Sequence, residues 1–388
     1  MNNIAVVVVA YNRPRSLSRL LKSLNTAHYD EKLDLIISID FTDTEDHEKV
    51  VGVAENFKCN FGYKKIIKHR TNLGLKRHVL SCGDLSAQYD AIIMLEDDLY
   101  VSREFYIYSK KVLSFYEKDP KIGGVSLYNH CLNINNLVPF KPLETNSDVY
   151  FLQIASSWGQ AWTRKHWESF RAWYDRETLE RADFSNLPSF IANWPESSWL
   201  KLFIKFLVDQ NKYFVYPKIS LTSNFSDAGT NNRLKNTNFQ VPLQIEDRHY
   251  KFESFNASRN IYDSYFELIP EVFKSQAQSL KNLELTVDMY GLKPLDSIKT
   301  EFLLSSKKLR ADFNSKSVSS FSLELKPMQM NIIEDIRGDF FHLDKPHNFT
   351  EERKVEYFNL ESFYYFLFRV KLMDLIKIVV KKIKKQII

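Results

Sequence analysis

The chain predicts a doubly wound α/β fold with a mostly parallel sheet. From Ile4 to Tyr116, β-branched or apolar runs alternate with segments of helical periodicity. The run Ala91 to Leu95 (AIIML) is apolar throughout, as a strand covered on both faces requires. The polar residues Asn12, Asp40 and Glu96 each stand where such a strand ends, the edge at which doubly wound sheets bind ligands.

The elements follow in order. Ile4 to Val9 is a β-branched strand, and Pro14 to Leu24 is a helix marked by Leu17, Leu20, Leu21 and Leu24. Leu33 to Ile39 is the second strand, followed by an acidic, helix-compatible stretch, and Lys64 to Ile67 the third. Gly74 punctuates the next turn, Leu75 to Leu85 is helical, the AIIML strand comes fourth, and Glu104 to Tyr116 is again a helix. These βα units imply a nucleotide-binding half over residues 1–130 of a first domain at 1–255. The acceptor half, 131–255, holds all six tryptophans between Trp158 and Trp199, which fits either a binding wall or an aromatic core layer. Ser226 to Asn238 is polar and glycine-bearing, the composition of a loop that closes on ligands. Residues 256–350 form an appendage of helix and β-rich character, with alternation in LELTV and FSLEL.

Residues 351–388 predict a basic amphipathic helix. From Arg369 onward seven basic residues face a single acid, a net +6, which leaves −1 for the rest of a chain whose total is +5. Leu372, Leu375, Ile376, Val379 and Ile383 keep helical spacing opposite the lysines, a pattern suited to an anionic membrane surface. Basicity confined to one terminal helix argues against nucleic acid as a partner. Cys59, Cys82 and Cys131 form no paired motif, which argues against a disulfide framework or zinc site and for a reducing compartment. With no signal-type leader or spanning run, the expectation is a cytoplasmic protein, peripheral on the inner face of the plasma membrane.

Glu96, Asp97 and Asp98 end the fourth strand together. Three adjacent acids repel one another and lose hydration, so they require a cation, and hard oxygen ligands suit Mn²⁺ or Mg²⁺ carried with substrate phosphates.

Four landmarks in order resemble the GT-A glycosyltransferases, within them the glycoprotein β-1,2-N-acetylglucosaminyltransferase type and family 2-like bacterial enzymes. They are Tyr11-Asn12-Arg13-Pro14; Leu95-Glu96-Asp97-Asp98-Leu99; Tyr216 to Thr222 leading to Asp227-Ala228-Gly229-Thr230-Asn231; and Trp194-Pro195-Glu196-Ser197-Ser198-Trp199. The resemblance covers about residues 1–255. It implies a GT-A fold and a metal-dependent hexosyl- or N-acetylhexosaminyltransferase. The donor would be a UDP-sugar, transferred with inversion to a glycan or lipid-linked saccharide in surface polysaccharide assembly. Under it Arg13, beside Asn12, would contact the donor diphosphate, Asp40 the uracil, and Glu96 and Asp97 the ribose and nucleotide. Asp98 would bind the metal, His69 the nucleotide, and Thr230 and Asn231 would belong to the closing loop. Glu196 would be the catalytic base, with Asp183 and Asp227 as fallbacks. Two other classes stand beside this one. A nucleotidyltransferase lacks support because AYNRPRSL carries no glycine-rich phosphate loop, and a non-catalytic glycan-binding or scaffold protein would not need the complete acidic triplet.

Overall fold

The computed structural model describes residues 1, 3–176, 183–225, 227, 239–311 and 317–355, together with Met373, Ile376 and Val380. The chain divides into two compact units, Met1–Val272 and Phe273–Ile388.

The first unit is a mixed α/β body on a nine-stranded, mostly parallel sheet. Its first half holds β1 (Ile4–Ala10), β2 (Leu33–Ile39), β3 (Gly62–Lys68), β4 (Ala91–Glu96) and the short β5 (Leu99–Val101). The helices between them are α1 (Pro14–Asn25), α2 (Glu45–Asn56) and α3 (Gly74–Asp84). α4 (Phe105–Tyr116), β6 (Ile122–Ser126), β7 (Val149–Leu152), β8 (Gln160–Thr163), α5 (Arg164–Arg176), α6 (Ser189–Ala192), α7 (Trp199–Asp209), β9 (Tyr213–Pro217), β10 (Thr222–Asn224) and β11 (Ile261–Tyr262) complete it. The strand order is β11-β7-β9-β6-β8-β4-β1-β2-β3. β3, β2, β1 and β4 run parallel, while β8 is inserted antiparallel to both β4 and β6.

Local chemistry explains these elements. Every residue of β1 is buried, because helices and neighbouring strands cover both faces. α1 opens with Pro14 in its first turn and buries Leu17, Leu20, Leu21 and Leu24. α2 is capped by Thr44, which accepts from His47 N, and Glu45, Asp46 and Glu48 complement the helix dipole. Four of the six tryptophans, Trp162, Trp167, Trp173 and Trp199, are core residues. Trp158 and Trp194 alone stay half-exposed, so most of the cluster is the aromatic layer rather than a binding wall.

The second unit contains β12 (Leu285–Asp288), β13 (Phe302–Ser305), β14 (Lys307–Leu309), β15 (Ser319–Phe321), β16 (Phe341–Asp344) and β17 (Phe349–Arg353). They form a four-stranded sheet, β12-β13-β16-β15, and a separate β14-β17 pair. The LELTV alternation becomes β12, but FSLEL stops being a strand at Phe321. Asn331 is the reason: its Oδ1 accepts from Glu324 N and Leu325 N, the amides a longer strand would place in a ladder. The terminal helix expected from residue 351 does not begin there: residues 351–353 are the end of β17, held in the pair with β14, and most of the remainder to 388 lies outside the described residues. Of its core span only Met373, Ile376 and Val380 are described, helical and exposed. Among the described residues no helix is long and apolar enough to cross a membrane.

Candidate functional site

The carboxyl ends of β1, β2 and β4 gather the predicted residues. β4 pairs with β1 so that Glu96 lies opposite Val9, and Asp97 N donates to Val9 O at 3.1 Å. The chain then turns into β5, which pairs antiparallel with β10 through Thr222 and Val101, and through Asn224 and Leu99. Two landmarks far apart in sequence, the acidic triplet and the segment ending at Thr222, thus share one small ladder. Phe225 N donates to Asp98 O at 3.1 Å and extends it.

Arg13, the residue before α1, bridges the triplet. Its Nη1 donates to Asp98 Oδ2 at 2.8 Å and its Nη2 donates to Asp97 Oδ1. Among the described residues it is the one cation in ion-pair reach of these acids. One positive charge does not balance three carboxylates. Burial, reinforced by Asp98 and Asp97, pushes Glu96 well above the usual carboxylate range although Arg13 pulls it down. Burial likewise raises Asp97 to about 6, against the opposing effect of Arg13. Burial alone would lower the Arg13 pKa, but Asp97, Asp98 and Glu96 together hold it above its ordinary value.

The unmet charge has a definite location. Asp98 is buried, and its Oδ1 has no hydrogen-bond partner. A buried carboxylate oxygen left open beside two further acids fits a hard divalent cation. Among the described residues no group of three or more His, Cys, Asp or Glu side chains forms a closed metal cage. Asp98 is the residue whose open oxygen would hold such an ion.

Asp40 ends β2 and is buried. Its Oδ1 accepts from Phe41 N at 2.9 Å and Leu73 N at 2.8 Å, and its Oδ2 accepts from Gly74 N at 3.0 Å. Asp40 thereby pins the start of α3 to the end of β2, and Oδ2 keeps one lone pair for a ligand. Gly74 has φ +72°, the left-handed region, which allows the chain to enter α3 so tightly. His69 leans inward rather than outward. Ser38 Oγ lies 3.1 Å from His69 Nε2 and 2.8 Å from His78 Nε2, and burial lowers His78 to about 4.

Asn12 lines a cavity of about 1330 Å³ together with Arg13, Tyr100 and Asp227; Asp40, His69 and Glu96 lie outside its lining. Glu196 is exposed in the segment between α6 and α7, and Lys76 Nζ of α3 donates to its carbonyl at 3.0 Å. Since Lys76 is in the first turn of α3, this contact holds the segment near the Asp40 edge. Asp183 is bound locally by Ser185, and Asp227 accepts from Ser16 Oγ at 2.7 Å and from Arg19. Thr230 and Asn231 lie outside the described residues.

Sequence reasoning named Trp158 only as one of six clustered tryptophans, without its place at this edge, and missed Arg19. β8 runs antiparallel to β4 with Gln160 opposite Met94, which brings the half-exposed Trp158 to the level of Glu96. No periodicity announces an inserted antiparallel strand. Arg19 lies with its guanidinium 3.7 Å from the Phe225 ring centroid, and its spacing from Arg15 and Lys22 on α1 was the available signal.

No family model and no curated protein matches the chain. Solved structures similar to it include Staphylococcus aureus TarS 1–349, at 12% identity and TM-score 0.37 over 57% of this chain and 59% of that one. GalNAc-T7 with UDP, GalNAc and Mn²⁺ is 15% identical with TM-score 0.40 over 57% of this chain and 43% of that one. The mannosyltransferase PcManGT from Pyrobaculum calidifontis, in complex with GDP-Man and Mn²⁺, is 14% identical with TM-score 0.33 over 44% and 46%. This chain spans less than two thirds of the length of each. At such scores the likeness assigns no activity; the chemistry of the triplet edge has to do so.

Proposed function

We propose that the protein is a metal-dependent glycosyltransferase of the GT-A type that uses a nucleotide-sugar donor. The observation that carries this reading is the open, buried Oδ1 of Asp98 beside the Arg13 bridge at the carboxyl edge of the sheet. When bound there, Mn²⁺ or Mg²⁺ supplies electrostatic stabilisation to a diphosphate leaving group.

The chain's own residues account for the rest. Arg13, with Asn12 beside it, faces the diphosphate and stabilises the negative charge that develops as the sugar–phosphate bond breaks. Asp40 offers its remaining lone pair to a base N–H, with UDP-sugars as the expected donors. Glu96 and Asp97 meet the ribose and nucleotide, His69 contributes from the neighbouring strand end, and Thr230 and Asn231 belong to the closing loop. Glu196 takes the proton of the acceptor hydroxyl. The acceptor oxygen bonds to the anomeric carbon, and the bonding electron pair leaves with the diphosphate, inverting configuration. The resemblance to the β-1,2-N-acetylglucosaminyltransferase type supports an N-acetylhexosaminyl or hexosyl donor. The cationic tail after Arg369 supports a lipid-linked acceptor at the inner face of the plasma membrane, as in surface polysaccharide assembly.

Thermal stabilisation by a panel of nucleoside diphosphates and their sugars tests the reading. A shift for a uridine compound with Mn²⁺ that disappears with chelator is the expected result. No shift with any nucleotide overturns it in favour of a glycan-binding or scaffold protein.

A further inference from the structure

The outer face of α1 is one wall of a groove with one-sided chemistry. Arg15, Arg19 and Lys22 stand four and three residues apart, with Ser18 beside them, on the face opposite the buried leucines. Asp46, Lys49 and Val53 of α2 form the opposing wall of the 1330 Å³ cavity. A second hollow of about 520 Å³ shares Ser18, Lys22, Lys49 and Val53 and lengthens the groove toward Asn56 and Phe57. Single small-molecule pockets run to roughly 300–1,000 Å³, so this groove exceeds one such ligand.

Five cations line the main cavity, Arg13, Arg15, Arg19, Lys22 and Lys49, against the two acids Asp46 and Asp227. α1 itself contains no acidic residue. Arg13 is committed to the triplet, Arg19 to Asp227 and Phe225, and Lys49 to Glu45 at 2.7 Å. Arg15 and Lys22 have no ion-pair partner among the described residues. An ordinary solvated face is convex and interleaves both signs. This one is concave, is short of acids, and has Arg13, the partner of Asp97 and Asp98, in its lining. A concave wall of one sign concentrates anions.

We propose that the α1–α2 groove is a second anion site that takes a diphosphate separate from the donor's own. That this diphosphate belongs to the acceptor, as the link between a glycan and its lipid carrier, rests on the transferase reading above. A free inorganic anion would satisfy the same cations.

Calorimetric titration of the full chain with inorganic diphosphate, without metal, tests the site; UDP with Mn²⁺ is titrated separately. Arg15→Glu with Lys22→Glu should weaken diphosphate about tenfold or more, as loss of two charge-assisted contacts implies. Arg15→Gln with Lys22→Gln should weaken it less, and UDP–Mn²⁺ affinity should be unchanged in both. Tighter binding of an isoprenyl diphosphate in micelles than of inorganic diphosphate supports the acceptor as source. Equal binding supports the site with a free anion as its ligand. Unchanged diphosphate affinity in both variants overturns the proposal, and so does a parallel loss of UDP–Mn²⁺ binding. If UDP–Mn²⁺ fails to bind the unaltered chain, the transferase reading falls, while the contrast in diphosphate binding still decides the anion site.

Discussion

Arg13 Nη1 donates to Asp98 Oδ2 at 2.8 Å, while Oδ1 of that same carboxylate faces no donor. One oxygen is neutralised by the protein and the other is left for something the protein does not supply.

Replacing Asp98 with Asn should therefore abolish metal-dependent stabilisation by nucleotide. The expected loss of Mn²⁺ affinity is on the order of 100-fold, at least that of losing a supporting group around a metal. Mn²⁺ titration followed by electron paramagnetic resonance reads it directly. Retained affinity would move the ion away from the triplet.

Arg13→Ala should lower both stability and turnover, because it leaves buried carboxylates without their cation. Breaking such a pair costs about 3 kcal/mol. Urea unfolding at neutral pH gives the stability change. Saturating Mn²⁺ should restore part of the loss in Arg13→Ala and little in the Arg13→Ala, Asp98→Asn double variant.

Glu196→Gln should slow transfer by about two orders of magnitude, the contribution of a positioned general base, with donor affinity little changed. Single-turnover rates measured beside UDP binding separate the two quantities. A near-normal rate would place the base elsewhere.

His130 is buried among Tyr128, Trp158, Tyr216 and Phe266, and desolvation lowers it to about 3. A depressed base favours the folded state fully above its unfolded pKa near 6.5, and that advantage is lost as pH falls from there toward 3. At pH 5 the loss is about 2 kcal/mol for one such group. His130→Phe should thus lose less stability than the parent between pH 7.5 and 5 in matched urea unfolding curves. The raised acids Glu96 and Asp97 act with the opposite sign, but they are common to both proteins and cancel in the difference. Parallel curves for the two proteins would mean that folding does not lower the His130 pKa.

Gly159 has φ +93°, and a Cβ there would stand 2.7 Å from Thr222 Cγ2. Gly159→Ala should cost about 1–3 kcal/mol and disturb Trp158, whose carbonyl accepts from Thr222 Oγ1. Calorimetric unfolding provides the check.

The parallel half of the sheet was legible because β1, β2 and β4 are buried, largely apolar runs and α1 keeps a strict leucine period; the edge strand β3, GYKKIIK, was marked only by its short apolar centre. The expected and observed bounds of β2 coincide, and those of α1 and α3 differ by about one residue. Asp40, Arg13 and the triplet were legible for the same reason: they mark the ends of those strands. β8 was not, since four residues around Trp162 carry no sign of their direction. FSLEL misled because a side chain, Asn331, captures the amides that its alternation promised to a ladder. Asp40 was read as a ligand contact, and its grip on the α3 amides is a matter of tertiary distance that sequence spacing does not express.

The reversed direction of β8 has a further consequence. Between Ser126 and Gln160 the chain adds β7 further along the sheet and then comes back, and these two residues pair side by side, with Leu127 N donating to Gly159 O at 2.9 Å. The excursion is stapled shut at its own base, directly beside the triplet. The loops on either side of β7 can therefore lengthen or shorten without moving Glu96, because the pairing of Ser126 with Gln160 closes the base of the segment whatever its length.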